Sequence, residues 1–278
     1  VTETLKAAAA MRTTGRILGS QVDVGTLAST VERVLALAES RRPAYVCFAT
    51  AYMLVNCTRD ESIFRAYQQC DLVSADGTPL AWCLRLLGHP SAECVSGPRL
   101  VPALLEEAAL RGIPVGFYGG RPETCARIQQ VLARALPALR ISYLYSPPFR
   151  PLDEEEQQAM LNDIRASGTK ILFIGLGSPK QDLWMHKHSP SLDCVCLGVG
   201  AAFEFLSGEK VLPPFWVQQL GLTWLVRLLQ EPRRLIRRNL YSPVFVAMFV
   251  GQALFGVRFS RRFTNNLLSE SSTDDVAV

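Results

Sequence analysis

Between Arg16 and Gly200 the chain alternates between two hydrophobic rhythms. Six short runs are apolar and rich in β-branched or aromatic residues: "AYVCFAT" (44–50), "DLVSAD" (71–76), "PVGFYGG" (114–120), "RISYLY" (140–145), "KILFIGLG" (170–177) and "DCVCLGVG" (193–200). Their length and composition predict strands. Between them lie "TLASTVERVLALAES", "TPLAWCLRLLG", "PRLVPALLEEAALRG", "RPETCARIQQVLARALP" and "DEEEQQAMLNDIRASG", with apolar residues at i, i+3, i+4 spacing, which predicts helices. In the fourth of these, Ile128, Val131, Leu132 and Ala135 are expected to share a face, with Pro122 at the first helical position. Strands alternating with helices predict an α/β fold, a Rossmann-like and mainly parallel sheet covered by helices on both faces. Such sheets bind ligands at the carboxyl ends of their strands, so the loops after Thr50, Ala75, Phe117, Ile174 and Leu197 are the places to search.

After Gly200 the rhythm changes. "PPFWVQQLGLTWLVRLLQEPRRLIRRNL" is helical, aromatic and rich in arginine. The apolar run "PVFVAMFVGQALFGVRF" (243–259) follows, interrupted by Gln252, two glycines and Arg258. It is short for a membrane span and suits a helix lying in a membrane interface. The expected organisation is an α/β core over 16–212, a helical, arginine-rich, membrane-associating appendage over 213–263, and flexible tails at 1–15 and 264–278. Residues 1–16 lack the apolar core of a signal peptide, so the expected place is the cytoplasm, peripheral to a membrane.

Composition narrows the class. Of 278 residues, 49% are hydrophobic and 19% charged, as in a globular protein, and a net charge of +4 does not call for nucleic acid. The eight cysteines form no Cys-x-x-Cys pair, which points to a reducing compartment with neither a disulfide framework nor a zinc site. His186 and His188 are two apart, so a helix points them away from each other. No Asp-x-Asp occurs, and no divalent metal or other cofactor is expected.

Four stretches carry candidate chemistry. "GLGSPK" holds Gly175 and Gly177, then Pro179, Lys180 and Gln181. It is neither a Walker loop nor a complete dinucleotide fingerprint. Glycines would let amides approach a diphosphate, and a helix opened by Pro179 would favour the anion; a plain glycine turn reads equally well. In "SADGTPLAW", Asp76 ends a strand and can serve as general base, or Asp76 and Thr78 can cap the next helix. Gly119 and Gly120 in "FYGGRPET" can lie against a base or ribose, or form a tight turn. Arg227, Arg233, Arg234, Arg237 and Arg238 can meet phosphates or an anionic membrane, or be solvated surface charge.

In this order, "ADGTPLAW", "ECVSGPRL", "FYGGRPE", "ILFIGLGSPKQDLW", "LGVGAAFEFLSG" and "GLTWLVRLLQEPRRLIRR" resemble the bacterial WecG/TagA/CpsF glycosyltransferases, glycosyltransferase family 26, from about Arg16 to Leu240. The resemblance implies inverting, metal-independent transfer of a sugar from a UDP-sugar to an undecaprenyl-diphosphate-linked glycan, in bacterial cell-surface or exopolysaccharide synthesis. It implies Asp76 as base and the loop Gly175, Gly177, Pro179, Lys180, Gln181 at the donor, with Asp182 in place of the usual acid. Thr50, Gly77, Arg99 and Gly200 complete the expected substrate-binding set, and the C-terminal arginines are expected at the lipid diphosphate. Some positions depart from the family pattern. Thr50 in "FATAY" stands without the usual asparagine, Cys94 replaces an arginine, "VLPP" from Val211 lacks another, and Thr223 replaces an acid in "GLTW". Arg99 offers a charge that Cys94 lacks. Two rivals stay open: a non-catalytic, membrane-docked subunit that binds a nucleotide sugar, and a nucleotide-dependent oxidoreductase or epimerase. Homo-oligomerisation also stays open.

Overall fold

The computed structural model describes residues 12–214, 217, 226, 240–257 and 259. The chain enters through an antiparallel hairpin, β1 (Thr14–Ile17) and β2 (Ser20–Asp23), which the sequence reading passed over. Its two-residue turn places Leu18 and Gly19 at φ 48° and 82°, the left-handed pair that matches the twist of a hairpin. Asp23 fastens the hairpin to its surroundings. Its buried carboxylate accepts from Arg12 (2.9 Å), Arg33 (2.8 Å) and the Val73 amide (2.7 Å).

The alternating elements follow: α1 (Leu27–Glu39), β3 (Ala44–Ala49), α2 (Ala51–Arg59), α3 (Glu61–Gln68), β4 (Leu72–Ala75), α4 (Thr78–Leu86), α5 (Gly97–Arg111), β5 (Val115–Gly119), α6 (Pro122–Ala135), β6 (Ile141–Tyr145) and α7 (Glu154–Ala166). Then come β7 (Ile171–Gly175), α8 (Lys180–His188), β8 (Val195–Gly198), α9 (Ala202–Leu206) and α10 (Tyr241–Phe255). All six predicted strands form and join one parallel sheet, ordered β4-β3-β8-β7-β5-β6. The chain builds outward from β3 to β4, re-enters on the far side with β5 and β6, and fills the middle with β7 and β8. Open α/β sheets with such a reversal place their ligand crevice over the carboxyl ends of the strands there.

Side chains alternate between two buried faces, as a period of two requires. Tyr45, Cys47 and Ala49 of β3 join one core with Met53, Leu54, Tyr67 and Met185. Ala44, Val46 and Phe48 join the other with Val34, Leu35, Leu104 and Phe203. Burial on both sides explains why these strands read as continuous apolar runs.

Three findings differ from the expectations. Two helices, α2 and α3, fill 51–68; Asp60 ends the first and caps the second, its carboxylate accepting from the Ser62 (2.8 Å) and Ile63 (3.3 Å) amides. The buried face of α6 is Thr124, Cys125, Ile128 and Leu132, while Val131 and Ala135 face outward. Ile128 and Leu132 are thus on the buried face as expected, while Val131 and Ala135 are not and Thr124 and Cys125 join it. Finally, α10 runs straight through Gly251 and Gln252 and ends at Gly256, whose φ of 63° is left-handed. Phe245 and Phe249 are buried in the core, and Tyr241 packs edge-on against Tyr52 of α2 at 5.0 Å. Gln252 accepts from the Leu18 amide and donates to the Arg16 carbonyl, both at 2.8 Å, so the helix is bonded to the hairpin. Its opposite side leaves Val246, Val250, Leu254 and Phe255 exposed. Among the described residues no helix is long and apolar enough to cross a membrane.

Candidate active site

The loops at the carboxyl edge touch one another in an unbroken series. Starting at the β4 edge, the Asp76 amide donates to the Ala49 carbonyl (2.8 Å), tying the β4 exit to the β3 exit. The strip before α5 lies along β4: the Val95 amide donates to Ala75 (2.9 Å), and the Ser74 hydroxyl donates to the Val95 carbonyl (2.7 Å). Gly97 then sits so close to the β8 exit that an added Cβ would lie 3.2 Å from the Val199 carbonyl. The Val199 and Gly200 amides both donate to Ile174, at 3.0 and 3.1 Å, joining the β8 and β7 exits. The Gly120 amide reaches Gly175 at 3.2 Å and closes the row at β5.

The glycines divide by what surrounds them. An added Cβ at Gly119 would meet the Gly175 backbone at 2.7 Å, and at Gly175 the Phe203 ring at 2.7 Å. At Gly120 the same ring would be 3.0 Å away. These three glycines are demanded by packing. Gly77 (φ 113°) and Gly177 (φ 80°) need their glycine for backbone conformation rather than for close packing: a Gly77 Cβ would make ordinary contact with Pro79 at 3.8 Å, and a Gly177 Cβ meets nothing within 4 Å. At Gly200 (φ 51°) an added Cβ would meet the Gln181 side-chain oxygen at 3.4 Å.

Gln181 explains how the β7 loop holds its shape. It is buried, accepts from the Gly177 amide (3.0 Å), and donates to the Ser178 hydroxyl (3.1 Å) and to the Gly198 carbonyl. Its amide is therefore spent inside the loop, bridging β7 and β8, rather than turned toward a ligand. Lys180, next to it, is exposed. Asp182 is fully buried beneath the rim. Burial first, then its neighbours Cys70 and Asp182, hold the Cys47 thiol well above its ordinary pKa, which places this acid among the core thiols.

Helix starts separate in the same way. Thr26, Thr50, Asp60 and Asp153 close the N-termini of α1, α2, α3 and α7 with side-chain bonds to free amides. At α6, Glu209 accepts from Thr124 (2.8 Å) and Arg121 (3.0 Å). Burial works against the Glu209 carboxylate, but those hydrogen bonds prevail and lower its pKa. The N-cap residues of α4, α5 and α8 are Gly77, Ser96 and Pro179, and none of them makes a side-chain cap. Asp76 precedes the α4 cap position and does not occupy it. These three helix starts are neighbours in the series of contacts just traced. Helix starts carry partial positive charge.

Arg99 donates to the Cys94 carbonyl at 2.7 Å, which uses one of its five N–H donors. Thr50 caps α2 through the Met53 amide (3.2 Å), and its hydroxyl proton is still available to donate. The structure thus brings Thr50, Asp76, Gly77, Arg99, Gly119, Gly120, Gly175, Gly177, Pro179, Lys180, Gln181 and Gly200 to one edge of the sheet. Arg227, Arg233, Arg234, Arg237 and Arg238 lie outside the described residues. Sequence reasoning missed the role of Ser146, whose hydroxyl donates to the Gly120 carbonyl at 2.7 Å, and that of Glu209; neither stands in a recognisable motif.

A family model described as the glycosyl transferase WecG/TagA/CpsF family matches residues 15–258. The chain belongs to that glycosyltransferase family. The match spans the hairpin, the whole parallel sheet and α10, so the elements that form the rim all fall within it. Membership makes the crevice the place to look for a nucleotide-sugar donor and a glycan acceptor. It also removes the oxidoreductase and epimerase rival, whose dinucleotide fingerprint the β7 loop lacks.

Proposed function

We propose that this glycosyltransferase moves a sugar from a UDP-sugar to an undecaprenyl-diphosphate-linked glycan, with inversion and without a metal ion, as a UDP-sugar-dependent hexosyltransferase. The observation that carries the reading is the gathering at the carboxyl edge of three helix starts without side-chain caps, α4, α5 and α8, beside two left-handed glycines, Gly77 and Gly177, the second of which faces open space. Amides at such starts attract a diphosphate. Gly177 lets the ligand approach the backbone, Lys180 adds a positive charge, and the Gln181 amide keeps the loop in shape. In this reading Gly119 and Gly120 form the wall on the β5 side, and Thr50 and Arg99 supply further donors.

Asp76 is the base. It takes the proton from the attacking acceptor hydroxyl as that oxygen bonds to the anomeric carbon. The bond from that carbon to the diphosphate oxygen breaks, and UDP departs with the electron pair. Attack from the side opposite the leaving group inverts the centre. The amides of the α8 start stabilise the charge that grows on the diphosphate.

Residues 16–212 would form the donor-binding core and 213–263 the acceptor side, in a protein peripheral to the inner face of a bacterial plasma membrane. The exposed apolar side of α10 and the arginines of 227–238 support that assignment. Asp76→Asn is the test, run with a panel of UDP-sugars and a lipid-linked acceptor. The expected result is a fall of about 10²–10⁴-fold in turnover with UDP affinity nearly unchanged, and wild-type turnover unaffected by EDTA. A variant that keeps most of its turnover would remove Asp76 from the reaction.

A further inference from the structure

We propose that Cys94 is a positioning residue for the transfer reaction, its sulfur holding the Asp76–Gly77 turn in the conformation from which Asp76 acts; this rests on Asp76 being the base. Two amides define the turn. The Asp76 amide is bound by the Ala49 carbonyl of β3 at 2.8 Å, and the Gly77 amide by the Cys94 sulfur at 3.3 Å. Gly77 sits at φ 113°, a conformation that glycine enters freely and can equally leave, and no backbone carbonyl among the described residues takes its N–H. The Gly77 carbonyl accepts from the Leu80 amide at 3.0 Å within α4, and the sulfur holds the N–H side of the turn.

Cys94 can serve as an anchor because it is itself held. Its carbonyl accepts from Arg99 at 2.7 Å, and the next residue, Val95, is clamped to β4 through Ala75 (2.9 Å) and Ser74 (2.7 Å). It also stands apart from the other cysteines: seven of the eight are buried in the core, and Cys94 alone is half-buried, at the rim. Burial first, then the nearby Asp76 charge, pushes its thiol up to about 11, so the sulfur is a neutral S–H at physiological pH. A neutral acceptor steadies the turn without placing a cation beside the carboxylate.

The experiment compares Cys94→Ala and Cys94→Ser in the full chain, measuring turnover with the active UDP-sugar and UDP affinity by calorimetry. Alanine removes the acceptor, and serine keeps one. Cys94→Ala is expected to lower kcat about tenfold, the scale of a misplaced reacting group, with UDP affinity within about twofold. Cys94→Ser is expected to recover to within about threefold of the wild type. Added to Asp76→Asn, Cys94→Ala should cost less than about twofold more, because a residue acting through Asp76 has nothing left to position. The proposal is overturned by full activity in Cys94→Ala, by serine failing as badly as alanine, or by multiplying losses in the double variant. An active Asp76→Asn single variant also overturns it, and that result identifies the base assignment as the fault.

Discussion

Gln181→Glu changes one atom and tests whether the β7 loop holds a diphosphate. In the wild type the side-chain oxygen accepts from Gly177 at 3.0 Å, and the nitrogen donates to Ser178 at 3.1 Å and to the Gly198 carbonyl. A glutamate keeps the first bond, and the Ser178 hydroxyl can turn to donate. The Gly198 contact cannot be repaired while the carboxylate is ionised, because two acceptors then face each other at a residue only 3% exposed. A buried acceptor without a donor costs about 1–3 kcal/mol, and more when charged. If the loop gives way, that is about 5- to 150-fold in UDP affinity.

The same geometry makes the defect depend on pH. Burial and the opposing carbonyl raise the folded pKa of the introduced carboxyl above its unfolded value of about 4.3. Between those two values the folded state holds the extra proton, so stability is greatest below the unfolded value and falls as pH rises through the folded one. The protonated acid donates to Gly198 as the amide did. UDP calorimetry and thermal melts at pH 5 and pH 8 are the measurements. We expect weak binding and a lowered Tm at pH 8, both recovering toward the wild type at pH 5. Unchanged affinity and Tm at pH 8 would refute the brace. A lowered Tm with unchanged UDP affinity would keep the brace and remove the diphosphate from the loop.

Two further outcomes concern the C-terminal side. Gln252→Ala leaves the Leu18 amide without its acceptor and frees the end of α10 from the hairpin; it should cost about 1–3 kcal/mol in denaturant unfolding, and a loss below about 0.5 kcal/mol would show that the helix is not bonded there. Arg234→Glu with Arg238→Glu should weaken binding to anionic vesicles, with the difference from wild type shrinking as salt rises, while UDP affinity stays constant; equal vesicle binding would remove these arginines from any docking surface.

The parallel sheet was legible because its strands, apart from the half-exposed edge strand β6, are buried on both faces and so read as unbroken apolar runs between periodic helices. The hairpin was not, since each strand has four residues and the turn is Leu18-Gly19 rather than Asn-Gly. The helices over 51–68 were hidden for another reason. Asp60 divides them into pieces of nine and eight residues, each too short to show a periodicity of its own. At the candidate site, motif spacing located the loops correctly at the carboxyl edge. It did not separate glycines that admit a neighbouring ring from glycines that border open space, because that depends on Phe203, some 28 residues downstream of Gly175. It also could not show that Gln181 faces inward, which follows from the position of the Gly198 carbonyl on another strand.

The distribution of caps bears on where the reaction occurs. A chain selected only for stability would close every helix start, because each cap is worth about 1 kcal/mol. Here the closures lie at α1, α2, α3 and α7, while at α6 Glu209 binds the Thr124 and Arg121 side chains and no backbone amide. The N-cap residues of α4, α5, α6, α8, α9 and α10 make no such bond, and among these the starts of α4, α5 and α8 are linked along the carboxyl edge through Cys94, Gly97, Val199 and Gln181. Each carries roughly half a positive charge at its amides. Leaving three such ends together lowers stability by a few kcal/mol on that scale, unless an anion supplies the missing acceptors. Under the proposed function, a donor carrying a diphosphate would do so and would return the amides to water when the product leaves. Stability foregone at the rim thus becomes affinity for the donor, and UDP alone should raise the Tm of the unliganded protein.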